Sequence, residues 1–229
     1  MSKKLCFKNV TLTFLGHSGF ILEKDGYKIV VDPFLKNAPL ATKKPEEIEA
    51  SVVFVTHGHA DHIGDAVEIA QNNNCQICAN FEVAQYCQEQ GVKTLGVPVG
   101  CEQLFDWGKA IFRPALHSGI LPNGKLFNLA TGIIFDFGDF KIYHMGDTAL
   151  NADIRFVGEI FKPDLALMPI GGRVNLSIEQ ALLATEWLGV EAVVPIHYDL
   201  YTQGEVSPLE FQQKLQQKLP LVKCFIMEP

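Results

Sequence analysis

The chain has 229 residues, 48% of them apolar, which is enough to fill one substantial core, and no run approaches the roughly 18 uninterrupted apolar residues of a membrane span. A formal charge of −7 with scattered lysines and arginines excludes long nucleic acids as partners, because phosphate backbones demand a positive footprint. Met1-Ser2-Lys3-Lys4 leads into a mixed segment instead of a signal core, so the expectation is one domain over residues 1–229. That domain is cytoplasmic and off the membrane, with its six cysteines reduced.

In chain order, strands are predicted at Val10–Phe14, Phe20–Glu23 and Tyr27–Val31, the last two joined by Lys24-Asp25-Gly26, an Asp-Gly turn between alternating runs. Ser51–Val55 is β-branched and apolar and reads as a buried strand. Ile63, Ala66, Val67 and Ala70 recur at helical spacing, which puts His62 at a helix entrance. Cys75 and Cys78 form a C-x-x-C with no second pair at zinc-ribbon spacing. Gln76–Ala79 therefore reads as a short buried strand holding a small thiol. A helix follows over Phe81–Gln90, with Asn80 as its N-cap and Gly91 as its stop.

The second half repeats this plan, as an old duplication would. Strands are predicted at Ala110–Ala115, Gly132–Asp136 and Phe140–His144, the last two joined by Phe137-Gly138-Asp139. Buried strands at Leu165–Met168, Ala192–Pro195 and Val222–Met227 alternate with helices that begin at Ser177-x-x-Gln180 and Ser207-Pro208-x-Glu210, the first closed by Gly189. Strand-rich and helix-rich stretches interleave throughout, which argues for one α/β sandwich and against two tethered domains.

The chemistry concentrates in Thr56-His57-Gly58-His59-Ala60-Asp61-His62, three imidazoles and a carboxylate directly after a buried strand. These are donors that zinc and neighbouring metals accept, and burying so many of them unpaired is costly. His117, Asp147 and His197 each follow a further predicted strand, and strands ending at a common edge bring their terminal residues together. His17 and His144 are the spare histidines, either supporting the site or facing substrate, or else packing only. Asp32 is suited to fixing the histidine loop by hydrogen bonds. Arg173, in Gly171-Gly172-Arg173-Val174-Asn175, is a loop cation that could hold a phosphate or carboxylate, or simply a solvated arginine.

With His57-x-His59-x-Asp61-His62, His117, Gly146-Asp147-Thr148 and His197 in place, the chain resembles the metallo-β-lactamase superfamily over nearly its whole length. Leu15-Gly16-His17-Ser18-Gly19-Phe20, Val31-Asp32-Pro33-Phe34, Tyr143-His144-Met145-Gly146-Asp147-Thr148 and Pro195-Ile196-His197-Tyr198 are similar to small metal-dependent hydrolases related to bacterial ascorbate-6-phosphate lactonase. The resemblance implies a four-layer αββα sandwich of two mixed sheets flanked by helices, with metals at one edge. It implies that His57, His59 and His117 hold one divalent ion, that Asp61, His62 and His197 hold a second, and that Asp147 bridges them. Redox diiron members usually carry glutamate where this chain has His59, and thiolesterases of the glyoxalase type carry an extra helical C-terminal domain. The first departure favours hydrolysis over redox chemistry, and the second argues against a glyoxalase-type thiolesterase.

Such a donor set takes zinc first, with manganese or iron as alternatives. A metal-bound water ionises near pH 7, so hydroxide is available as nucleophile, and Asp61 could steer its proton as well as bind metal. Two functions from different classes fit. One is a dinuclear hydrolase of a small anionic ester, lactone or phosphodiester, acting alone or as a homo-oligomer. The other is a non-catalytic metal-binding or regulatory protein on the same fold. Loops 36–47 and 118–129 are expected to set specificity.

Overall fold

The computed structural model describes residues 4–127, 129–202 and 206–229. Met1–Lys3, read above as the start of a leaderless chain, lie outside the described residues, as does Asn128 of the 118–129 loop. The first sheet contains β1 (Lys4–Phe7), β2 (Val10–Gly16), β3 (Gly19–Lys24), β4 (Tyr27–Val31), β5 (Val52–Phe54), β6 (Gln76–Ala79) and β7 (Thr94–Gly96), in that spatial order. Strands β1 to β4 run antiparallel, and β4 to β7 run parallel. The second sheet is built from β8 (Glu102–Phe105), β9 (Gly108–Ala115), β12 (Ala130–Asp136) and β13 (Lys141–His144), antiparallel. It continues in parallel through β14 (Leu165–Pro169), β15 (Ala192–Ile196) and β16 (Lys223–Cys224). Between β9 and β12 the chain makes a separate two-stranded hairpin, β10 (Gly119–Ile120) and β11 (Leu126–Phe127).

Helices α1 (Ala60–Ile63), α2 (Ala66–Asn72) and α3 (Phe81–Glu89) belong to the first half, and α4 (Ala152–Ile160), α5 (Ile178–Leu188) and α6 (Pro208–Lys218) to the second. Three apolar clusters define the layers. Val52, Phe54, Phe112, Phe135, Leu165, Leu167 and Val194 meet between the sheets. Val53, Val55 and Ile77 face the first set of helices through Ile63, Ile69 and Val83. Ala166, Met168 and Val193 face the second set through Ala181, Leu188 and Phe211. Neighbours such as Val52 and Val53 point to opposite layers because side chains alternate along a strand. Strands covered on both faces therefore read as unbroken apolar runs. The result is the αββα sandwich expected from the resemblance. Among the described residues no helix is long and apolar enough to cross a membrane.

Local signals act as the sequence indicates. Asp25 and Gly26 both take positive φ, +50° and +84°, as a tight hairpin between β3 and β4 requires. The Asn80 side chain accepts the Val83 amide at 3.0 Å, Ser177 and Gln180 form a reciprocal capping box, and Gly189 ends α5 in the left-handed region. Cys78 lies buried on β6, and burial pushes its thiol up to about 12, so it behaves as an inert core group.

Two expectations change. The helix after the histidine motif breaks at Gly64, whose φ is +44° and whose missing Cβ would overlap the Pro33 carbonyl, so α1 is a single turn and α2 starts afresh. The final strand contracts from Val222–Met227 to Lys223–Cys224, because only those two residues register against β15.

Candidate metal centre

Strand ends build the site. His17 follows β2, Asp32 follows β4, His57 to His62 follow β5, His117 follows β9, Asp147 follows β13 and His197 follows β15. All these turns lie at one edge of the sandwich, where loops can converge without disturbing the core. His17, Asp32 and His197 adopt positive φ of +54°, +43° and +55°, an uncommon conformation for residues with a Cβ that concentrates at functional sites.

Asp32 is the anchor of the histidine loop. Its Oδ1 accepts the Thr56 amide at 2.8 Å, and its Oδ2 accepts the Thr56 hydroxyl at 2.6 Å and His62 Nδ1 at 2.7 Å. A carboxylate oxygen accepts here, so His62 Nδ1 donates its N–H and the ring presents Nε2 to the site, free to ligate a cation once that nitrogen gives up its proton. That loop-fixing role is the one the sequence suggests for Asp32.

The donors gather in two groups joined by a third, His57, His62 and Asp147. In the first, His57 Nε2 and His117 Nε2 each lie 3.0 Å from His59 Nδ1. In the second, the donor atoms of His17, Asp61, His62 and His197 all fall within 4.8 Å of one another. Asp147 stands between them, its Oδ2 3.1 Å from His197 Nε2, 3.5 Å from His62 Nε2 and 3.8 Å from His117 Nε2. The structure thus brings together all seven residues named as ligands, and adds His17.

Buried polar atoms test whether a cation fits. Among the described residues His62 Nε2 and both ring nitrogens of His197 are buried without a well-aligned hydrogen bond, and only the Asp61 and Asp147 carboxylates face the two Nε2 atoms as ion-pair contacts. Leaving such atoms unpaired costs free energy comparable to a lost hydrogen bond, and a cation bound among neutral imidazoles and carboxylates removes that cost. The donor set fits divalent metals.

Electrostatics divides the two groups. Burial, reinforced by neighbouring imidazoles, lowers the pKa of His57 and of His59, and burial likewise lowers that of His117, so the first group is neutral and ready to ligate. Burial also opposes charge on His62 and His197, but the Asp147 carboxylate outweighs it. His62 is raised well above its ordinary value, and His197 is raised to about 9. Burial disfavours the ionised forms of Asp61 and Asp147, yet the facing imidazoles hold both carboxylates ionised.

Several contributors escape sequence reasoning. Asp199 holds His17 Nδ1 at 2.6 Å, which turns His17 Nε2 toward Asp61 Oδ2 at 3.1 Å. Asn175 donates to Asp147 Oδ1 at 2.9 Å and accepts the Gly171 amide at 2.7 Å. Gly119 leaves room for His59, since a Cβ there would overlap the imidazole. Asn175 lies in the loop singled out for Arg173, and it is the loop member that touches a ligand. Arg173 itself is exposed and does not line the cleft above the site. His144 is also away from the cleft. Its Nε2 lies 2.8 Å from the Ser18 carbonyl, and its Nδ1 accepts the Gly146 amide at 3.2 Å, so both nitrogens serve the backbone and neither reaches a reactant. Burial lowers its pKa, in keeping with a neutral packing residue.

The cleft has a volume of about 450 Å³ and reaches His59, Asp61, His117 and Asp147 at its floor. The chain is similar to known proteins over most of its length. The sequence model described as Beta-lactamase superfamily domain matches residues 11–197, and the chain belongs to the metallo-β-lactamase superfamily, among its metal-dependent hydrolases. Its curated relatives include a UPF0173 metal-dependent hydrolase of Bacillus cereus, 38% identical over 210 residues, covering 90% of this chain and 92% of that protein. One from Geobacillus thermodenitrificans is 39% identical over 204 residues, covering 87% and 90%. Among solved structures, the metallo hydrolase Igni18 from Ignicoccus hospitalis superposes with a TM-score of 0.86 at 37% identity, covering 96% of this chain and 95% of its own.

Proposed function

We infer that the protein is a dinuclear metallohydrolase that cleaves a small-molecule ester, lactone or phosphodiester. In this reading His57, His59 and His117 hold one divalent ion, Asp61, His62 and His197 hold the other, and Asp147 lies between them. The observation that carries it is the convergence of seven donors from four strand-end loops, with buried ring nitrogens that find no well-aligned hydrogen bond among the described residues. Bound divalent cations would supply ionised water near neutral pH and polarise the substrate oxygen. Imidazole and carboxylate donors suit zinc, with manganese and iron as alternatives.

The chain's own residues do the rest. Asp32 and Thr56 hold the histidine loop in register. Asn175 fixes one oxygen of Asp147 and leaves Oδ2 directed at three imidazoles. His17, pinned by Asp199, orients Asp61, which in turn faces the cleft and can accept a proton from the attacking water. The setting proposed is cytoplasmic, with a small molecule as partner and no role for long nucleic acids.

Elemental analysis combined with assays on p-nitrophenyl esters, lactones and bis-p-nitrophenyl phosphate tests this reading. Two metal equivalents and metal-dependent turnover of at least one class are expected. Two bound equivalents with no turnover on any class would favour the non-catalytic metal-binding alternative.

A further inference from the structure

Apart from its metal-binding floor, the cleft is an apolar slot. Ile120, Leu121 and Pro122, in and beside the β10–β11 hairpin, line it together with Val174 and Tyr201. Ile120 and Tyr201 are each 54% exposed, large apolar surfaces held at the mouth of a site, where a monomer gains nothing from leaving them uncovered unless a ligand covers them. Among the described residues no lysine or arginine lines the cleft, and the only charged side chains there are the carboxylates of Asp61 and Asp147. The two cations on the flanking loops are not part of the lining. Lys125, on the hairpin, pairs with Glu89 at 3.4 Å, and Arg173 stands outside the lining.

We propose that the substrate carries an uncharged, apolar body next to its scissile bond, seated against Ile120, Leu121, Val174 and Tyr201. This inference rests on the hydrolase reading and narrows its substrate class. A second, remote anionic group on the substrate would be desolvated in the slot with no cation to receive it. A methylene chain instead gains about fourfold in affinity for each group moved out of water. The slot volume of about 450 Å³ lies within the range of pockets that enclose small organic ligands. An anionic substrate of the kind expected from sequence would have its charge only at the scissile centre.

Alkyl hydroxamates test the slot without turnover, because the hydroxamate head chelates metal while the tail samples the walls. Dissociation constants for acetohydroxamate, hexanohydroxamate, octanohydroxamate and suberic monohydroxamic acid are measured by calorimetry on the metal-loaded full chain. Affinity is expected to rise about fourfold per methylene as far as the hexanoyl chain. The suberic compound, equal in length to the octanoyl one but ending in a carboxylate, is expected to bind at least about tenfold more weakly than it. Ile120→Asp and Val174→Asp, at partly exposed positions, are expected to flatten the series while metal content stays at the wild-type level. A flat wild-type series, or a carboxylated member that binds as tightly as the octanoyl one, would overturn the proposal. The two readings fail separately. A steep series with no ester, lactone or phosphodiester turned over sinks the hydrolase reading alone, and turnover with a flat series sinks the apolar slot alone.

Discussion

The two halves of the molecule repeat one topology, four antiparallel strands followed by three parallel additions, yet equivalent positions take different duties. The turn after the second strand carries His17 in one half and His117 in the other, and the turn after the fourth carries Asp32 and Asp147. His17 is fully buried and clamped between Asp199 and Asp61, whereas His117 lines the cleft. Asp32 is saturated by Thr56 and His62, while Asp147 keeps Oδ2 among three imidazoles. The same backbone frame thus provides a supporting residue on one side and a residue of the donor cluster on the other. What separates them is whether protein donors already occupy the side chain.

Exchanging the paired aspartates presses hardest on that contrast. Asp147→Ala is expected to remove at least about 10³-fold of activity together with metal, because it deletes a donor shared by both groups. Asp32→Asn, which weakens only the support, is expected to cost about 10- to 100-fold in metal affinity or activity. Equal losses from the two, with both variants folded by circular dichroism, would break the contrast.

Next in size is Gly119→Ala. The added methyl displaces the His59 ring, and the expected outcome is roughly tenfold weaker metal binding with a nearly unchanged melting temperature. An unchanged affinity in a metal titration would show that His59 tolerates the shift.

A smaller effect separates the two donor groups by pH. In metal-free protein the folded-state pKa of His197, about 9, lies above its ordinary 6.5. Its proton therefore stabilises the fold fully below about pH 6.5, and that contribution fades as pH climbs through 9. Metal must displace this proton and the one on His62, which is also held above its ordinary value, so uptake by the second group is expected to strengthen as pH rises toward 9 and to release protons at pH 7. The first group, with His57, His59 and His117 already lowered, is expected to load with little proton release at pH 7. Calorimetry in buffers of different ionisation enthalpy separates the two, and parallel weakening of both equivalents at pH 6 would erase the distinction.

The sequence exposed these donors because they obey local rules. Each follows an apolar run, and four of them share seven residues, so strand ends and donor chemistry together marked the site. The supporting residues obey no local rule. Asp199 meets His17 across 182 residues and Asn175 meets Asp147 across 28, and neither spacing leaves a trace in periodicity. Gly119 is legible only as a missing Cβ beside His59. Helix α4 leaves a weak signature as well, since its buried stripe is just Ile154 and Val157 and it contains Gly158, a poor helix former. In the fold that glycine has a purpose: a Cβ there would overlap the Trp187 carbonyl, so it permits close packing of α4 on α5.

Anomalous diffraction from crystals of the metal-loaded protein, collected beside His59→Ala, tests the central claim most directly. Two peaks are expected, one among His57, His59 and His117 and one among Asp61, His62 and His197, with Asp147 reaching both and the first peak depleted in the variant. A single peak, or peaks placed away from these side chains, would contradict the account.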